Sequence, residues 1–327
     1  MTRRTATRIK PDPVVLSARE PADLIGVVPY LLGFHPTESL VAVFLRQRRV
    51  EVTARMDLVA TESVDGLIAH LELVSQRVGT RTLVLLGYSA EEKIRQTLTD
   101  LGPALPFDLV DILAVGPHRW WSVLCDGDCC PSEGTPYDIG SHLLAAEAVL
   151  AGMPTASARD EIAALTAGPE PDEMDRLTRM SDACEARLAG ASHRRRRQRM
   201  RRGVQRGLGA SGPSDLEAIE LAVLAAEVAI RDVAWAMMTR EEADSHVALW
   251  RHVVALTPAP YEPAPLGLLA MAGWLSGNGA LLNCCIDRLE EIAPDYSLLS
   301  LCRDISESAV PPSCFDELSG DLRALAG

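Results

Sequence analysis

The sequence predicts an α/β N-terminal domain, built on a mixed sheet with crossover helices, followed by an all-α C-terminal domain with tetratricopeptide-like hairpins. Strand and helix patterns alternate as far as about residue 152, the signature of crossover connections. Beyond that point strand signals stop and only helical periodicity remains. The length of 327 residues suits two such units, at roughly 150 residues for each.

Residues 20–33 carry Pro21, Leu24, Ile25, Val28 and Leu31 at helical spacing. Pro21 suits a first helical turn and Gly33 a C-terminal cap, while Pro29 predicts a kink or break. Residues 40–45 form a continuous apolar run, as in a strand buried on both faces. After Gln47-Arg48-Arg49, the residues Val50, Val52, Ala54 and Met56 alternate with Glu51, Thr53, Arg55 and Asp57. That period of two completes an antiparallel hairpin. A helix over 64–78, a strand over 82–88, a helix over 90–101 and a strand over 108–115 follow. Gly116-Pro117 turns the chain into a last strand over 120–124. Strand–helix–strand order makes part of the sheet parallel.

Ser157 with Asp160 opens the first later helix, and residues 172–188 make another. Residues 193–206 hold eight arginines and no acid. They read as a solvated or disordered connector, so 153–213 is expected to be a helical arm and Arg-rich connector, with an all-helical domain over 214–327. Ser214 with Glu217 is a capping-box pattern before one long helix whose face is Leu216, Ile219, Val223, Ala226, Ile230, Val233 and Met237. Thr239 with Glu242 repeats that start before Ala243, Val247, Trp250 and Val254. Further helices fit 265–275, 279–292 and 297–307. Residues 263–286 contain no charge, but Ser276-Gly277-Asn278-Gly279 interrupts them. Each half falls well short of the ~20 residues of a membrane span, which predicts a buried hairpin. Trp274, that turn and Pro294-Asp295-Tyr296 give the hairpin its tetratricopeptide-like look.

The net charge of −13 argues against a generally basic nucleic-acid binder. Setting aside the eight arginines of the run leaves −21 on the rest. Eight cysteines are too sparse for a small disulfide scaffold, and no apolar stretch follows the basic residues of 1–13. The expected compartment is the cytoplasm, with no membrane contact. No G-x-x-x-x-G-K-[ST], H-E-x-x-H or G-x-S-x-G pattern is present. Residues 207–212 spell G-x-G-x-x-G, yet an arginine run precedes them where a dinucleotide site needs a strand. No cofactor is expected.

Candidate site residues lie at one sheet edge, where α/β proteins bind ligands. His35 and Ser39 are a base and a hydroxyl in one short loop. Arg55 and Asp57 share a strand face, and Arg119 precedes Trp120-Trp121. The alternative for each is a turn bond, a structural ion pair or core packing. Arg194, Arg195, Arg196 and Arg197 are candidates for phosphate or for an acidic partner. Cys125, Cys129 and Cys130 place three thiols within six residues. Cys125 and Cys129 have a zinc-pair spacing, with His118, His142 or Cys184 as a fourth ligand, although no second C-x-x-C exists. The expectation here is a structural loop with no metal.

Several of these residues also form an ordered set. Pro29-Tyr30-Leu31-Leu32-Gly33-Phe34-His35-Pro36 leads to Ser39-Leu40-Val41. Then come Arg55 with Asp57-Leu58, Arg119-Trp120-Trp121, Cys125 with Cys129-Cys130-Pro131 and Gly134, Arg231-Asp232, Trp250, and the stretch from Trp274 to Tyr296. The set resembles the domain of unknown function 4192 family. The resemblance implies a bacterial intracellular protein of this architecture and supplies no activity. The leading functional expectation is a non-catalytic interaction or regulatory protein that binds a protein partner through its helical domain. The alternatives are an enzyme acting on a small polar or anionic substrate at the edge of the N-terminal sheet, and non-specific nucleic-acid association through the arginine run.

Overall fold

The computed structural model describes residues 17–58, 63–125, 127, 130–138, 142–150 and 155–315. Helix α1 (Pro21–Leu32) leads to strands β1 (Ser39–Arg46) and β2 (Arg49–Asp57). Helix α2 (Val64–Val78) precedes β3 (Thr82–Tyr88), and α3 (Ile94–Leu101) precedes β4 (Asp108–Val115). Two short strands, β5 (Arg119–Ser122) and β6 (Thr135–Pro136), complete one sheet of order β2-β1-β3-β4-β5-β6. β3 and β4 are parallel, and the other neighbours are antiparallel. The expected mixed sheet is present.

β1 reads as unbroken apolar sequence because both sheet faces are covered. Leu40, Ala42 and Phe44 pack with Leu67 and Leu71 of α2 and Leu98 of α3. Val41 and Val43 face the other way, against Ile25 and Val28 of α1. α1 stays helical through Pro29, so the expected break is absent. Only one turn follows the proline, which limits the backbone bonds at stake. α3 begins four residues later than the sequence pattern suggests. The Ala90 amide is held by the Glu38 carboxylate instead, at 3.0 Å.

Helix α4 (Leu143–Leu150) packs on α1. The helical unit then contains α5 (Arg159–Ala164), α6 (Met174–Ala189), α7 (His193–Gly207), α8 (Asp215–Ala225), α9 (Val228–Trp235), α10 (Ala243–Ala255), α11 (Pro263–Leu275), α12 (Gly279–Ile292) and α13 (Ser297–Glu307). α11 is its axis: every residue from Ala264 to Leu275 is buried, and α8, α9, α10, α12 and α13 surround it. The expected α11–α12 hairpin is there, with Gly277 at φ 79 in the turn and the Asn278 side chain capping α12. A helix buried all round is the mark of a bundle core. Among the described residues no helix is long and apolar enough to cross a membrane.

Two further expectations need correction. The single long helix after Ser214 is two helices, divided at Glu227, whose backbone is extended. The Arg-rich segment is no connector. α7 buries Met200, Gly203, Val204 and Gly207, and Met200 and Val204 join the same core as Leu221 and Leu249. The glycines permit this approach. A Cβ on Gly203 would meet Leu221 at 2.8 Å, and one on Gly207 would meet Leu249 at 2.5 Å. Gly207, the first letter of the G-x-G-x-x-G string, is therefore a helix-packing residue.

Candidate functional site

The loop after α1 joins the two units. Phe34 pairs with Ala156 as a parallel bridge, and the His35 amide donates to the Ala156 carbonyl at 3.1 Å. Phe34 itself is buried in the core of the helical unit. Arg55 of β2 lies over its ring, 5.9 Å from the centroid. Three sequence-predicted residues converge here. Arg55 Nε donates to Ser39 Oγ at 2.8 Å, and its Nη2 meets Asp57 Oδ1 at 2.6 Å. Ser39, fully buried, donates its hydroxyl proton to the Thr37 carbonyl at 2.6 Å.

A second pair faces this one from the helical unit. Arg159 of α5 meets Asp287 of α12 at 2.6 Å, and Asp57 is near enough to act on Arg159 electrostatically. Cys284 of α12 lies within the field of both Arg159 and Arg55. Burial pushes its thiol up, so it stays protonated near neutral pH. Residues 39 and 287 are far apart in sequence, and nothing in the local pattern links them.

The rest of the expected cleft is not assembled. A serine nucleophile must give its proton to a base, and the proton of Ser39 goes to a backbone carbonyl. His35 is held by its backbone amide, and burial lowers its side-chain pKa. Arg119 lies on β5, four strand positions from β2, or about 19 Å at ~4.8 Å per strand. Its Nη1 donates to the Gly134 and Glu133 carbonyls, at 2.7 and 3.2 Å. Arg119 thus fixes the loop before β6. The Trp121 indole N–H and Arg95 both donate to the Ser132 carbonyl at 3.2 Å. Gly134 sits at φ 82, and a Cβ there would come within 2.4 Å of Trp121. Cys125 and Cys130 line a recess of about 20 Å³ beside Trp120 and Trp121, room for one water. Cys129 lies outside the described residues. Among the described residues no three His, Cys, Asp or Glu side chains gather as metal ligands. His142 faces Asp23 at 3.4 Å, and Cys184 is buried in the helical core.

The motifs that hold this seam and loop together, from Pro29 to Gly134, lie within a stretch that can be placed in a family. Residues 21–313 match the family described as Domain of unknown function (DUF4192). The chain belongs to that family. No curated protein and no solved structure matches it. Membership in DUF4192 accounts for the ordered motifs and leaves the activity to be argued from this chain's own geometry.

Elsewhere in this DUF4192 chain, α7 divides its arginines by direction. On the inner side, Arg196 meets Glu227 at 2.9 Å and donates to the Leu188 carbonyl at 3.0 Å. On the flank toward α8, Arg199 meets Glu220 at 3.1 Å and Arg206 meets Glu217 at 3.2 Å, both arginines staying exposed. On the outer side Arg194, Arg195, Arg201 and Arg202 are exposed, with Gln198 and Gln205 between them. At 3.6 residues per turn these six positions share one face. Among the described residues, Arg194, Arg195 and Arg202 carry no ion pair. A shallow, open depression of about 720 Å³ lies between Arg194, Arg195, Arg197 and Arg201. The four consecutive arginines of the sequence are thereby separated. Arg194 and Arg195 face solvent, whereas Arg196 serves the fold.

Proposed function

We propose that this protein is a non-catalytic binding protein whose helical unit holds an anionic partner on the outer face of α7. The observation that supports this most is the direction of the arginines. A packed helix presents Arg194, Arg195 and Arg202 to solvent, while Glu217 and Glu220 of α8 and Glu227 just beyond its end are already engaged by other arginines of α7. The remainder of the chain is strongly acidic, so this face is a local reversal of sign. Such a patch attracts negative partners and orients their approach.

The N-terminal candidate cluster supports binding over catalysis. Ser39, Arg55 and Asp57 satisfy one another, and Cys284 is held as a thiol. Their evident work is to clasp the sheet to the helices.

The test is retention of the intact protein on heparin as a generic polyanion, with elution by a salt gradient. The wild type is expected to be retained at low salt. The variant R194Q/R195Q/R201Q/R202Q is expected to flow through with an unchanged circular dichroism spectrum. A wild type that is not retained at low salt overturns the reading.

A further inference from the structure

The loop between β5 and β6 brings two thiols to one place, far from α7. Cys125 and Cys130 stand at the ends of a short arc whose flanks are pinned. On the Cys125 side, the Val123 amide donates to the Ile112 carbonyl at 2.7 Å and carries the sheet past β5. On the Cys130 side, the Ser132 carbonyl accepts from Trp121 and Arg95, and the Gly134 amide donates to the Pro131 carbonyl at 2.8 Å. Between these flanks the Cys130 amide donates to the Gly127 carbonyl at 3.1 Å, so the chain turns back on itself. The turn sets both cysteines around the same small recess, with Arg95, Trp120, Trp121 and Thr135 as further walls. The walls of a recess that holds one water are roughly 7 Å apart, near the outer limit of the Cα separation that a disulfide spans. Both residues are thiols and partly exposed, whereas Cys184, Cys284, Cys285 and Cys302 are buried. Arg95 adds positive charge, which favours the anionic, nucleophilic form of a sulfur beside it.

We propose that Cys125 and Cys130 are a peroxide-reactive pair that closes to a disulfide. One thiolate attacks a peroxide oxygen; the S–O bond forms, the O–O bond breaks, and the departing hydroxide takes a proton and leaves as water. The second thiolate attacks the resulting sulfenic sulfur; the S–S bond forms, the S–O bond breaks, and a second water leaves. Two thiols thus give up two electrons and two protons, and one hydrogen peroxide becomes two waters. A recess of one water's size takes hydrogen peroxide, one oxygen larger, in preference to a bulky disulfide such as oxidised glutathione. This site goes beyond the anionic-partner reading and does not depend on it.

The experiment exposes the full, reduced chain to hydrogen peroxide, blocks remaining thiols by alkylation, and cleaves before aspartate. Cleavage at Asp126 and Asp128 separates Cys125 from Cys130. Mass spectrometry is expected to find the two peptides joined, and a reductant to part them. C129S is expected to form the link at a rate within about twofold of the wild type, and C130S to slow it at least ~10-fold. Fragmentation of the joined wild-type peptides makes the same assignment where a variant fails to fold. Oxidised glutathione at equal concentration is expected to act at least ~10-fold more slowly than peroxide. A link that C129S abolishes and C130S keeps overturns the pairing. Equal or faster reaction with oxidised glutathione overturns the oxidant class. No link under peroxide, or loss of the buried Cys285 and Cys302 thiols at the same rate, overturns the site.

Discussion

The seam between the two units and the outer face of α7 are both built around arginine, and they differ in what the arginine meets. At the seam, Arg55 is nearly enclosed, with its side chain 16% exposed, and it has Ser39, Asp57 and the Phe34 ring as neighbours. On α7, Arg194, Arg195 and Arg202 stand in solvent with no ion pair among the described residues. An enclosed, hydrogen-bonded guanidinium adds to the fold, because removing the buried Ser39 hydroxyl leaves a polar group unsatisfied. An exposed one adds little to the fold and remains available for another molecule. The difference teaches that arginine number says nothing about function until direction is known.

The largest expected effect tests whether the seam couples the units. Phe34→Ala removes a ring buried in the helical core from a loop of the α/β unit. It should cost about 3–5 kcal/mol, read as a lower midpoint in urea unfolding. A loss below about 1 kcal/mol would mean that the ring is not a structural joint.

Acid should act through the helical core, not through either arginine site. His246 of α10 is completely buried, and its contact with the backbone of Met237 offsets that burial only in part. Burial lowers its pKa to about 4. The fold therefore favours the neutral ring. The associated stability is complete above the unfolded value near 6.5 and is lost as pH falls towards 4. The expected loss is about 3 kcal/mol for this group, and His246→Gln should flatten that part of the pH profile if it folds. An unchanged profile in that variant would show that other groups carry the acid response.

Smaller effects separate the two kinds of arginine. Ser39→Ala leaves Arg55 Nε and the Thr37 carbonyl without their shared partner, and should cost about 1–3 kcal/mol. Arg196→Gln breaks the contacts with Glu227 and the Leu188 carbonyl, and should cost about 1–2 kcal/mol. Arg195→Gln, its outward neighbour, should change stability by no more than about 0.5 kcal/mol. Thermal melts of the two single variants provide the comparison. Equal losses at 195 and 196 would contradict the division of α7 into an inner and an outer face.

Much of the architecture was legible in the sequence, because local pattern and burial agree there. The apolar run of β1, the alternation of β2 and the capping box before α8 each report a local environment. At α1 the box is formed by Glu20 and Asp23, which the residue pattern did not flag. Ser39, Arg55 and Asp57 could be selected as a group because a strand places alternate residues on one face and its hairpin partner opposite. Arg119 was grouped with them wrongly, since sequence does not reveal how many strands separate two sheet positions. Arg159, Asp287 and Cys284 carried no signal at all. They reach the seam only because α5 and α12 pack together behind Phe34.

What the sequence by itself determined is the order of strands and helices, the acidic balance and the concentration of arginine in one segment. These follow from chain-local periodicity and composition. Tertiary structure alone decided that α7 is a packed helix with two unlike faces. A charged run looks solvated when read along the chain, since its few small and apolar residues are scattered. Gly203 and Gly207 become meaningful only when Leu221 and Leu249 press against them, and Arg196, Arg199 and Arg206 only when Glu227, Glu220 and Glu217 arrive from α8 and its end. Those contacts couple residues many positions apart, and their energy exists only in the folded chain.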